Sequence, residues 1–221
     1  MGRIASTLYL VATSFLSIDS DQPSEQTLRL AASELSHGRL IAYPTDTLYG
    51  LAADPCNSRA VDRIYRMKAR SPLAPLPLIA ANLEQIRVCV KSLSPVSYQL
   101  AERFWPGPLT LIYDAGETLA PEMLAGGTTV AIRVPAHPVA MGIARVFGHP
   151  ITATSANLTG VEPVNETSAM AKELSDDLSL ILDGGPTTGG LPSTIVDARG
   201  LQPVLIREGV VPWKRVLQSL A

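Results

Sequence analysis

The chain has 221 residues, 46% of them hydrophobic and 17% charged, enough apolar material for a folded core and too much for a disordered chain. The 18 Lys and Arg against 20 Asp and Glu leave a net charge of −2, which argues against a protein whose whole surface grips nucleic acid.

Met1 to Ile18 is apolar with one early cation, Arg3, but Ser6, Thr7, Thr13, Ser14 and Ser17 interrupt the run. No small-x-small cleavage site precedes Asp19, so this stretch reads as a first strand over Leu8–Val11 rather than a secretion signal. Pro23-Ser24-Glu25 followed by Leu28, Leu30, Ala31, Ala32 and Leu35 predicts an amphipathic helix, capped by Ser24 and stopped at Gly38. Leu40–Tyr43 is a buried strand ended by Pro44, and Thr45-Asp46-Thr47-Leu48-Tyr49-Gly50 follows as a hydroxyl-rich turn. Asn57 or Ser58 caps a helix running to about Met67. A strand is expected at Leu76–Ala80, with Pro77 arguing for an edge or a bulge.

Helical patterns at Leu83–Val90 and Pro95–Phe104 come next, the second broken by Trp105-Pro106-Gly107-Pro108. Strands at Leu109–Tyr113, Thr129–Val134 and Ile151–Thr154 flank a helix at Pro138–Phe147. Strands at Leu178–Leu182, Ser193–Val196 and Val204–Arg207 precede a last helix from Pro212. Strands and helices alternate, but the final strands crowd together, which predicts an α/β fold with a mixed sheet. With no repeat, low-complexity tract or linker, residues 1–221 read as one domain. No apolar run reaches the roughly 18 residues of a membrane span, and two unpaired cysteines, Cys56 and Cys89, fit a reduced compartment. A soluble cytoplasmic protein without a membrane partner is expected. Neither these cysteines nor the three histidines show metal-ligand spacing, so no zinc or iron site is expected.

Three constellations could carry chemistry. On the helix from Asn57, Arg59, Arg63 and Arg66 share one face, which reads as solvated rather than as an RNA ridge. Lys68 falls on the opposite, core-facing side with Val61 and Ile64. It either snorkels outward to the helix end or points with Arg70 into a polyanion site. Ala153-Thr154-Ser155-Ala156-Asn157-Leu158-Thr159-Gly160 crowds hydroxyl, amide and glycine groups at a strand end, where α/β sheets bind ligands. No G-x-S-x-G supports Ser155 as a nucleophile. The glycine-rich stretch from Asp183 to Thr194 could offer backbone amides to an anion, but it is neither a Walker A loop nor a dinucleotide fingerprint. Arg133 and Arg207 end two apolar strands and suit carboxylate and phosphate clamps.

Seven segments in this order resemble the YrdC/Sua5 family, the threonylcarbamoyl-AMP synthases. They are YPTDTLYGLAAD, Lys68-Ala69-Arg70, FWPGPLTLI, TTVAIRVPAHP, ATSANLTG, ILDGGPTTGGLPSTIVD and VLIREG. The chain is similar to the short, single-domain YrdC type. The resemblance implies a twisted mixed-sheet α/β sandwich around a large concave basic cavity. It also implies a nucleotidyltransferase that turns L-threonine, bicarbonate and ATP, with Mg²⁺, into threonylcarbamoyl-AMP and pyrophosphate. That product serves the threonylcarbamoyladenosine (t6A) modification of tRNAs reading codons that begin with A. By motif, Thr47, Arg133, Ala153 and Ser193 would line the threonine site. Arg70, Thr129, Ser155, Asn157 and Arg207 would hold ATP, with Lys68 and Arg70 as the catalytic cations on its phosphates. Downstream threonylcarbamoyl-transfer machinery is the implied partner, with a weak tRNA or double-stranded RNA contact as a further one. Two positions depart from the family pattern: Ala74 replaces a polar residue, and Ile79 stands where some members have histidine. The alternatives are a YciO-like relative or an RNA-binding module of the same fold without synthase activity.

Overall fold

The computed structural model describes residues 13–161, 165–170, 174 and 176–220. The strand expected at Leu8–Val11 lies outside the described residues. Helix α1 (Glu25–Ser36) opens at Ser24, whose hydroxyl accepts the Thr27 amide at 3.1 Å, and buries Leu28, Ala31, Ala32 and Leu35 as its spacing predicts. It packs on α5 (Pro138–Phe147), where Gly142 lets the helices approach: a Cβ there would lie 2.8 Å from Leu28 Cδ1. Further helices among the described residues are α2 (Ser58–Met67), α3 (Leu83–Arg87), α4 (Pro95–Phe104) and α6 (Trp213–Gln218).

Two mixed sheets carry the fold. The first contains β1 (Ser14–Ser17), β2 (Ile41–Tyr43), β3 (Gly50–Ala52), β8 (Thr154–Ser155) and β9 (Leu180–Asp183), in the order β1-β9-β2-β3-β8. The second contains β4 (Leu78–Ile79), β5 (Leu109–Asp114), β6 (Thr129–Arg133), β7 (Ile151–Thr152), β10 (Thr194–Asp197) and β11 (Val204–Arg207), in the order β11-β10-β5-β6-β4-β7. The interior strands of the first sheet, β9, β2 and β3, are covered on both faces. Ile41, Tyr43, Leu180 and Leu182 pack toward α1 and α5, while Ala42, Leu51 and Ile181 join α2, α4 and the second sheet in the main core. Double burial explains why β2, β3 and β9 read as apolar runs rather than alternating ones, whereas β1, at the sheet edge, leaves Phe15 exposed.

Four expectations change. The single strand expected at Ile151–Thr154 is two: β7 pairs with β4 in one sheet, β8 with β3 in the other, and the chain changes sheets at Ala153. β4 is shorter than expected and interior, between β6 and β7. Pro77 does no harm because it precedes the strand and offers only its carbonyl, which accepts the Ala153 amide at 2.9 Å. Gly50–Ala52 is a strand, not part of the turn, paired antiparallel with β2. Glycine suits position 50, because a Cβ there would press on the Tyr43 ring at 3.0 Å. The helix expected to reach Val90 ends at Arg87. Among the described residues no helix is long and apolar enough to cross a membrane.

Leu35 is fully buried between α1, α5 and the first sheet. Leu35→Ala is expected to lower the unfolding free energy by about 2–5 kcal/mol in denaturant titration, as cavity-forming core truncations do. A loss below about 1 kcal/mol would show that this layer is not tightly packed.

Candidate active site

A cavity of about 470 Å³ opens where the chain passes between the sheets. One wall is the turn between β2 and β3. Thr45 organises it with a single hydroxyl, which accepts the Thr47 and Leu48 amides at 3.2 and 3.3 Å and donates to the Leu48 carbonyl at 2.6 Å. This local network presents Thr47 to the cavity. Arg133, the last residue of β6, lines the opposite side. Its guanidinium holds the Asp46 carboxylate in a two-pronged ion pair, with Nη1–Oδ2 at 2.7 Å and Nη2–Oδ1 at 3.0 Å. The two side chains are only 12% and 21% exposed, so the pair is weakly screened. Arg133 therefore already displays the carboxylate-gripping geometry its position suggested.

Lys68 and Arg70 leave α2 in different directions, and the cause is the backbone between them. Ala69 adopts φ +47°, with its amide on Arg66 O at 3.0 Å and the Arg70 amide on Tyr65 O at 2.9 Å. This is a Schellman ending with alanine where glycine is usual, at a cost of about 1–2 kcal/mol. The reversal sends Arg70 to the cavity wall. There Nε and Nη2 donate to the Ala74 and Pro75 carbonyls at 3.1 and 3.0 Å.

Lys68 turns inward and is only 2% exposed. It does not snorkel outward, because its ammonium has acceptors inside. Nζ donates to the carbonyls of Ser155 and Asn157, the latter at 2.5 Å, and lies 3.2 Å from Asn157 Oδ1. Asn157 in turn accepts from Ser155 Oγ and donates to Leu158 O at 3.0 Å and Val161 O at 2.6 Å. Burial, with the nearby Arg70 charge, pulls the Lys68 ammonium down to about 8.

The glycine-rich stretch folds back over the turn. The Gly189 amide donates to Thr47 O at 2.8 Å, and Thr188 Oγ1 to Asp46 O at 3.0 Å. Tyr49 pins its start: its hydroxyl accepts the Gly184 amide at 3.0 Å and donates to Gly185 O at 2.8 Å. Burial raises this phenol to about 12, so it stays protonated. At the far end Ser193 Oγ lies 2.8 Å from Thr110 Oγ1, and Arg207 Nη2 donates to Ser193 O at 2.9 Å.

Of the residues singled out from sequence, Thr47, Arg70, Arg133, Ala153, Ser155, Ser193 and Arg207 line the cavity. Lys68 and Asn157 lie beneath Ser155 as its support. Thr129 is at the opposite end of β6 from Arg133 and is not among the lining residues. Asp46, Tyr49 and Thr110 are contributors that sequence reasoning did not single out. All three had a signal: Asp46 and Tyr49 sit within the same turn as Thr47, and Thr110 lies within the segment FWPGPLTLI. The charged lining side chains among the described residues are all arginine.

The Sua5/YciO/YrdC family model, described as telomere recombination, matches residues 33–209. The chain belongs to the Sua5/YciO/YrdC family. Among the family's proteins, a threonylcarbamoyl-AMP synthase of Pyrococcus abyssi is 38% identical over 87% of this chain and 56% of its own length. The crystal structure of P. abyssi Sua5 complexed with L-threonine matches with a TM-score of 0.87 and 35% identity, covering 94% of this chain and 61% of that one. E. coli YciO matches with a TM-score of 0.82 and 27% identity, over 92% of this chain and 99% of that one. The chain thus spans little more than half the length of the P. abyssi synthase.

Lys68 releases its proton near pH 8 in the folded protein and at its ordinary value of 10.5 once unfolded. Raising the pH from 8 to 10 is therefore expected to increase the stability of the wild type relative to Lys68→Met, measured by denaturant titration at each pH. A difference that stays flat or falls across this window would contradict the burial argument.

Proposed function

We propose that the chain is an L-threonylcarbamoyladenylate synthase, making threonylcarbamoyl-AMP and pyrophosphate from L-threonine, bicarbonate and ATP. The observation that carries this reading is the convergence of three arginines from three separate elements on one hydroxyl-lined cavity. Its chemical logic follows from charge. The threonine amine and bicarbonate give a carbamate with loss of water, and a carbamate oxygen must then attack the α-phosphorus of ATP as pyrophosphate departs. Anion meets anion, so the protein has to neutralise charge and align the partners, and no covalent nucleophile is required.

Within this reading Arg133 takes the threonine carboxylate, near Thr47, Ala153 and Ser193. Arg70 and Arg207, with Ser155, take the nucleotide. Lys68 acts through the loop it holds and contributes its charge from beneath. Thr129 has no assigned contact in this arrangement. The cavity lining offers no carboxylate among the described residues, so an Mg²⁺ arriving with ATP would be held by phosphate and water oxygens rather than by a protein cage, and no step is routed through it. The product would pass to threonylcarbamoyl-transfer machinery acting on tRNA in the cytoplasm. The outer arginine face gives a tRNA contact little support, because Arg66 pairs with Asp62 and Arg63 with backbone carbonyls.

The purified protein is expected to release pyrophosphate from ATP only when L-threonine and bicarbonate are both supplied. No release above the blank would favour the second reading, a YciO-like relative without synthase activity, which the match to E. coli YciO supports. Arg133→Lys, which keeps the charge and loses the planar fork, should raise the threonine KM about tenfold or more, from the roughly 1.5–3 kcal/mol of a charged hydrogen bond. An unchanged KM would remove Arg133 from the threonine site.

A further inference from the structure

Asp54, Cys56 and His149 come together away from the cavity, although neither histidine nor cysteine spacing suggested it. Asp54 lies two residues beyond β3, Cys56 just before α2, and His149 between α5 and β7. A carboxylate oxygen, the thiol sulfur and a ring nitrogen all lie within 4.8 Å of one another. None of the three lines the cavity.

The backbone around the cluster is fixed. The Cys56 amide donates to Asp54 Oδ1 at 2.8 Å, and the Asn57 amide to Asp54 O at 3.2 Å. Pro55 accepts the Ala120 amide at 2.9 Å, and Ala53 and Thr152 exchange two hydrogen bonds at 2.8 and 3.1 Å. The left-handed Gly148, at φ +92°, ends α5 and delivers His149, whose ring rests on Phe147 with centroids 4.1 Å apart. His149 Nδ1 is buried and has no hydrogen-bond partner. Cys56 is a free thiol and exposed, which leaves the cluster open to solvent from one side.

We propose that Asp54, Cys56 and His149 form a three-ligand site for a borderline-soft divalent cation of the Zn²⁺ class. One sulfur, one nitrogen and one oxygen donor suit such an ion and suit Mg²⁺ or Ca²⁺ poorly. Three protein ligands leave a fourth tetrahedral position for water. The bound ion would tie the segment leading into α2 to the segment leading into β7, so it would stabilise the folded chain without entering the adenylation chemistry.

Co²⁺ is the probe, because a thiolate ligand gives it a near-ultraviolet charge-transfer band and tetrahedral coordination gives strong visible bands. Titrating reduced protein with Co²⁺ should produce both bands, saturating at one equivalent, and Zn²⁺ should abolish them. Cys56→Ser should lose the charge-transfer band, His149→Ala should weaken Co²⁺ binding at least tenfold, and Cys89→Ser should leave the spectrum unchanged. Circular dichroism of each variant checks that the fold is retained; Cys56 is exposed, so its serine variant keeps the test informative. No thiolate band in the wild type, or a band that survives Cys56→Ser, would overturn the proposal.

Discussion

Two sheets share one stretch of chain, and nearly every feature of the cavity follows from how that stretch is satisfied. β7 belongs to one sheet and β8 to the other, with only Ala153 between them. A polypeptide that changes sheets leaves buried amides and carbonyls that neither ladder can pair, and such groups are costly. Here several of them find a partner from outside their own strand. The Ala153 amide goes to Pro77 O, Thr152 exchanges hydrogen bonds with Ala53, and the carbonyls of Ser155 and Asn157 receive the Lys68 ammonium. Thr152 and Lys68 are therefore among the most buried polar residues of the chain. The sheets part where the seam ends, and the cavity occupies that gap.

This arrangement gives Lys68 and Arg70 different tasks despite their closeness. An ammonium can be buried only if its protons are accepted, and three oxygens of one loop do so. A guanidinium has more donors than Arg70 spends on Ala74 and Pro75, so part of it still faces the cavity. The strained Ala69 between them is what keeps one cation inside the loop and turns the other to the cavity wall.

The legible part of the fold was the part governed by local rules. Ser24 and Asn57 cap their helices through side-chain oxygens, and β11 has the expected bounds of Val204–Arg207. What could not be read depends on distant partners. The break at Ala153 is invisible because Ile151 to Thr154 has the composition of one strand, and only pairing with β3 and β4 divides it. The β3 strand was hidden because Gly50 reads as a turn residue until Tyr43 is known to lie against it. Seven of the cavity residues were legible from the motifs they sit in, whereas the partners of Lys68 and Arg133 were not. Asp54, Cys56 and His149 illustrate the same limit, since two of them are neighbours in sequence and the third arrives only through the packing of α5.

Asp46 faces two ways. Its carboxylate occupies the Arg133 guanidinium, and its carbonyl accepts the Thr188 hydroxyl of the glycine-rich stretch. Any incoming carboxylate that claims the whole fork has to evict a tethered competitor already in place, so occupancy is an exchange rather than a simple addition. The group to be evicted is the side chain alone: the backbone carbonyl of the same residue is what accepts the Thr188 hydroxyl, so the exchange at the fork leaves the mooring of the overlying loop in place.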